Sequence, residues 1–209
     1  MLNLEAITNA SVATEPFKFF MAAGVLSAVD LAAVRADFPD IRKPGIFPIE
    51  ELSYGPVFAR LIEDLRSREF EDVMEKKYGV ELSGKPMMIT VRGQAQKKDG
   101  RIHTDSKTKY VTGLLYLNDV WDESQGRLRM LRNASDVDNY VAEIPPDGGT
   151  MASFLRTDNS WHGHEPYEGE RRYIMFNWMT SQAALTRELG RHSLSARVKR
   201  NVPFFYKGA

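Results

Sequence analysis

The sequence predicts a mainly β domain, a sandwich or barrel, preceded by helices and followed by a helical tail. Two observations carry this. Between Met87 and Trp178 short alternating apolar runs recur, separated by turn signals every eight to twelve residues. Before Lys85 the apolar spacing is instead helical, with recognisable caps. The 209-residue chain is long enough for one domain with terminal extensions: a mostly helical lead-in over 1–84, a β core over 85–180 and a basic helical tail over 181–209.

In chain order, Pro16 to Met21 reads as a short strand. Ser27 with Asp30 resembles a capping box for a helix to about Asp37, which Phe38-Pro39 stops. Pro56 suits a helix start, with Val57, Leu61, Ile62 and Leu65 on one face. Ser67 caps a further helix that Gly79 ends. Strands are then expected over 87–94, 110–118, 127–131, 140–144, 150–155 and 172–178, with turns at Lys97-Lys98-Asp99-Gly100 and Pro145 to Gly149. From Ser181 a helical tail interrupted at Gly190 carries six Lys or Arg against Glu188, a solvated face or a site for an anionic partner.

Composition excludes several functions. Lys plus Arg equals Asp plus Glu at 28 each, so no global basic field recruits nucleic acid. No cysteine is present, which removes disulfides, thiolate metal sites and a cysteine nucleophile. The first residues lack the basic region of a signal peptide, and the apolar segment from Phe19 to Ala33 is too short to span a bilayer. A soluble cytoplasmic protein is expected, with no membrane partner; oligomeric state is not readable.

The chemistry centres on His103-Thr104-Asp105. In an extended segment a His and an Asp two apart share a face, so both can reach one metal ion. Two histidines and one carboxylate, with open positions, form the facial triad of non-haem Fe(II) oxygenases. The second histidine would come from Trp161-His162-Gly163-His164. Alternation puts Arg172, Ile174, Phe176 and Trp178 on one strand face and Arg171, Tyr173, Met175 and Asn177 on the other. An arginine on an apolar face needs an anion: an internal salt bridge with an Asp or Glu is the plainer reading of Arg172, and the carboxylate of a dicarboxylate cosubstrate the sharper one.

The ordered set His103-x-Asp105, Tyr116-Leu117-Asn118, Gly126-Arg127-Leu128, His162, Pro166, Gly169 and Arg172 to Trp178 resembles the Fe(II)/2-oxoglutarate-dependent dioxygenase superfamily, in particular its prolyl-hydroxylase-like branch. The resemblance implies a double-stranded β-helix (jelly roll) fold. It implies Fe(II) held by His103, Asp105 and His162, 2-oxoglutarate bound by Arg172 and Tyr116, and O2 as the second cosubstrate. The reaction implied is hydroxylation of a small-molecule or peptidyl substrate with release of succinate and CO2. His164 and Arg171 are the alternatives for the distal ligand and the arginine. His164 stands where that branch often has a small apolar residue. A different reading takes His162, His164 and Glu168 as a cupin metal motif, with His192 as the remaining ligand of a metal-dependent enzyme or sugar-binding module. Gln94, Gln96, Trp121 and Arg129 are further candidates for a pocket lining.

Overall fold

A computed structural model describes the backbone of residues 1–201 and side chains through Arg191. The helical lead-in contains α1 (Leu4–Asn9), α2 (Ala28–Ala36), α3 (Pro56–Leu65) and α4 (Arg68–Tyr78). The Ser27 hydroxyl accepts from the Asp30 N–H at 3.1 Å and donates to its carboxylate at 2.9 Å, closing the expected box. The Ser67 hydroxyl accepts from the Phe70 N–H, and Gly79 ends α4 at φ +65°, which a β-carbon would strain. Helix α1 escapes the pattern analysis because it is barely two turns long and buries only Ile7.

The strands are β1 (Phe19–Ala22), β2 (Phe47–Pro48), β3 (Met87–Ala95), β4 (Lys109–Tyr116), β5 (Leu128–Leu131), β6 (Tyr140–Ile144), β7 (Met151–Leu155), β8 (His162–Gly163) and β9 (Gly169–Met179). They form a six-stranded sheet, β1-β7-β4-β9-β3-β2, and a three-stranded sheet, β6-β5-β8. All pairings between these strands are antiparallel. This is the double-stranded β-helix expected of the β core. Helix α5 (Gln182–Asn201) runs through Gly190 without a break, so the expected interruption is absent. Residues 202–209 of the tail lie outside the described residues.

The large sheet separates two apolar layers. Its outer face, including Ile89, Val91, Val111, Leu115, Ile174, Phe176 and Trp178, packs on α3 and α4 through Leu61, Leu65, Phe70 and Met74. Phe70 stacks on Trp178 and meets Phe176 edge-on, with centroids 5.7 and 5.4 Å away. Gly113 lies opposite Phe176 in the β4–β9 register, and a β-carbon there would come within 2.0 Å of the ring. The inner face packs on the small sheet through Leu114, Tyr116, Phe154, Tyr173, Leu128, Met130 and Ile144. Leu114, Leu128, Tyr173 and Met175 of this layer also line a cavity whose wall includes charged side chains.

Candidate active site

His103 is not within a strand. It makes a single antiparallel bridge to His162, each backbone N–H donating to the other's carbonyl at 3.0 Å. The two rings therefore sit side by side, with centroids 4.3 Å apart. Asp105 lies two residues beyond His103 and is buried. One ligand atom from each of His103, Asp105 and His162 lies within 4.8 Å of the others, and this is the one such His/Asp/Glu group among the described residues.

The environment suits a cation. The Nδ1 of His103 meets the Arg101 carbonyl at 2.8 Å, and that of His162 meets the Ser160 carbonyl at 2.9 Å. A carbonyl only accepts, so Nδ1 carries the hydrogen and Nε2 is left as the lone-pair donor to a metal. Burial lowers the pKa of the His162 ring to about 4, so it is neutral at pH 7. Burial alone would push the Asp105 carboxyl up. The Lys109 ammonium, His162 and the Thr112 hydroxyl outweigh that, and it stays ionised. Thr112 donates to Oδ2 at 2.5 Å, while Lys109 donates to Oδ1 at 3.0 Å. Asn177 donates to the Thr112 hydroxyl oxygen at 2.8 Å, which turns that hydroxyl's proton toward Asp105.

A cavity of about 180 Å³ opens beside the triad. Its wall includes Arg92, Asp99, Lys109, Leu128, His164 and Arg171. Arg171 is 3% exposed. Its Nε donates to the Gly126 carbonyl at 3.0 Å and an Nη to the Tyr116 hydroxyl at 3.4 Å. Among the described residues it has no carboxylate partner. A buried guanidinium so placed calls for an anion from outside the chain. Tyr116 is fully buried, and that burial raises its pKa to about 12, so it remains a neutral hydroxyl.

Arg172 is a correction. The expected alternation of β9 holds, but the other face points inward. The Arg172 guanidinium sits outside the cavity, beside Phe38 at 5.2 Å and paired with Glu170 at 2.9 Å. The apolar face proved to be the one that packs on the helices, and Arg172 lies where that layer ends and water begins. Asn118 holds this phase. Its side chain accepts from the Arg172 N–H at 2.6 Å and donates to the Pro146 carbonyl at 2.7 Å.

His164 lines the cavity but stands outside the triad. Its Nδ1 is taken by the Glu165 carbonyl at 2.7 Å, and burial followed by the Arg171 charge lowers its pKa to about 3. Glu168 is exposed, so His162, His164 and Glu168 do not converge as a cupin motif requires; the His192 side chain lies outside the described residues. Trp121, Gln96 and Arg129 do not line the cavity, Arg129 being paired with Glu143 and Asp138, and Gln94 faces a separate surface pocket with Arg172. Sequence reasoning missed Lys109, Thr112 and Arg92. Thr112 is within reach of the sequence, since it lies four residues before Tyr116 in one strand and alternation puts both on the same face.

Residues 90–180 match the sequence model of the 2OG-Fe(II) oxygenase superfamily. No curated protein matches the chain in sequence. Among solved structures, the chain is similar to a Pseudomonas putida prolyl-4-hydroxylase, with a TM-score of 0.57 and 16% identity over 85% of this chain and 97% of that one. It is also similar to a viral collagen prolyl hydroxylase from Paramecium Bursaria Chlorella virus-1 in complex with 2OG, with a TM-score of 0.52 and 15% identity over 77% and 93%. HygX from Streptomyces hygroscopicus with nickel and 2-oxoglutarate bound gives a TM-score of 0.51 and 14% identity over 78% and 83%. That superfamily works with Fe(II), 2-oxoglutarate and O2, and His103, Asp105 and His162 could hold the metal. The chain thus has the fold of prolyl-4-hydroxylase-like 2OG-Fe(II) oxygenases, and the segment bearing its site, residues 90–180, matches their superfamily.

Proposed function

We propose that this protein is an Fe(II)- and 2-oxoglutarate-dependent oxygenase that hydroxylates a C–H bond of a small-molecule or peptidyl substrate, releasing succinate and CO2. One observation carries the reading: the His103–Asp105–His162 group and a buried arginine without a carboxylate partner among the described residues line one cavity. Bound iron, with 2-oxoglutarate and O2, would supply the oxidation itself. His103 and His162 offer Nε2 lone pairs, and Asp105 offers Oδ1 because Thr112 occupies Oδ2. Arg171, in place of the expected Arg172, binds the distal carboxylate of 2-oxoglutarate, and the Tyr116 hydroxyl assists it. Leu114, Leu128 and Met175 give the cavity apolar wall, which excludes water around the reacting groups.

The test is anaerobic addition of Fe(II) and 2-oxoglutarate to metal-free protein. A weak visible charge-transfer band should appear, vanish in His162→Ala and persist in His164→Ala. Metal binding without a band, or a band that survives His162→Ala, would refute the assignment.

A further inference from the structure

We infer that the substrate presents an anionic group, a carboxylate or a phosphate, to Lys109 at the cavity wall. The inference rests on the oxygenase reading above and on a charge balance within this cavity. The charged side chains lining it are Arg92, Asp99, Asp105, Lys109 and Arg171. Arg92 and Asp99 form a buried ion pair and cancel. In the loaded site the two positive charges of the metal and that of Arg171 are offset by Asp105 and the two carboxylates of 2-oxoglutarate; the ligating histidines are neutral. Lys109 then has no charge left to balance it. Its side chain is 10% exposed, and its ion-pair partner among the described residues is Asp105, through Oδ1, the same oxygen the metal would take. A largely buried ammonium without a counter-charge is strongly unfavourable. The substrate is the remaining molecule that enters this space, and it can supply the missing charge.

The segments that supply part of the cavity wall carry the same sign. Lys97, Lys98, Arg101 and Lys107 are exposed, and none makes an ion pair among the described residues. They flank Asp99, Gly100, His103 and Asp105, which line the cavity. The turn that carries the first three is tied to the wall: the Gly100 carbonyl accepts from the His164 N–H at 2.8 Å, and Asp99 holds Arg92. Four exposed cations next in the chain to lining residues, without an ion-pair partner among the described residues, would favour the approach of an anion to a chain with no net charge.

The experiment uses the full chain loaded with Zn(II) in place of iron, plus 2-oxoglutarate, so that nothing turns over. Acetate, inorganic phosphate and methylammonium are each titrated while the amide resonances of Gly100 and Lys109 are followed. At least one anion should give saturable shifts and methylammonium none, and the better anion distinguishes carboxylate from phosphate. Lys109→Met should weaken that anion by about tenfold, the loss expected of one charge-assisted hydrogen bond, and Lys109→Arg should restore it. No anion binding to the loaded wild type, or equal binding by Lys109→Met, would overturn the inference. The wild-type contrast between anion and cation decides it even where Lys109→Met fails to fold. Failure of 2-oxoglutarate itself to bind the zinc protein would instead bring down the oxygenase reading.

Discussion

The two faces of β9 differ in what they touch. Ile174, Phe176 and Trp178 pack on helices and exclude water; Arg171, Tyr173, Met175 and Asn177 look into the barrel, where cavity and triad lie. The apolar face packs on the helices, and the mixed face carries the side chains of the candidate site. An arginine at the end of the apolar face looked anomalous in sequence, but the helix layer stops there and its guanidinium reaches Glu170 and water. The arginine that needs an explanation is Arg171, buried without a counter-charge among the described residues.

Substitutions can break this contrast. On the outer face, Phe176→Ala removes a ring held between Phe70, Trp178 and Gly113, and should destabilise the fold by about 3–5 kcal/mol. Chemical denaturation measures that, and the 2-oxoglutarate affinity of the remaining folded protein should be unchanged. A large affinity change would mean the faces are coupled.

On the inner face, Arg171→Ala should weaken 2-oxoglutarate binding by about 2–5 kcal/mol, the cost of truncating one member of a buried charge pair. Arg172→Ala, one residue away, should change it less than about twofold, within the range of exposed ion pairs. Calorimetric titration of both variants with metal present checks this. The reverse order would put the opposite face inward.

Metal-free protein should lose stability as pH falls from about 6.5 to about 4. The unfolded His162 ring takes up a proton in that window while the buried folded ring, with its lowered pKa, does not. The loss from His162 alone is on the order of 3 kcal/mol. Denaturation midpoints across that range test it, and His164→Ala should flatten part of the slope because His164 is shifted in the same direction. A flat profile in the wild type would argue that these rings are not buried neutral.

A further effect concerns a neighbour of the candidate metal group. Thr112→Val removes the hydroxyl that holds Asp105 Oδ2 and strands the Asn177 amide, and should lower metal affinity by about 10–100-fold without changing the fold. Competition with a chelator reads this directly. An unchanged affinity would mean that Lys109 alone orients Asp105.

Much of this molecule was legible in local pattern. Ser27, Ser67 and Gly79 bound their helices as their chemistry requires, and period-two alternation separated the two faces of β9. The spacing of His103 and Asp105 pointed to one metal, and Tyr116, which entered only through the resemblance and beside Arg172, meets Arg171 instead. The caps, the alternation and the His103–Asp105 spacing are short-range consequences of backbone geometry, so the amino-acid order alone determines them. Tertiary structure decided the rest. Which face of β9 turns inward depends on α3 and α4, more than a hundred residues earlier, covering Phe176 and Trp178. The bridge between His103 and His162, and the meeting of Lys109, Thr112 and Asn177 at Asp105, follow from how the strands close around the barrel. Alternation has two equivalent phases, and only burial against another layer distinguishes them.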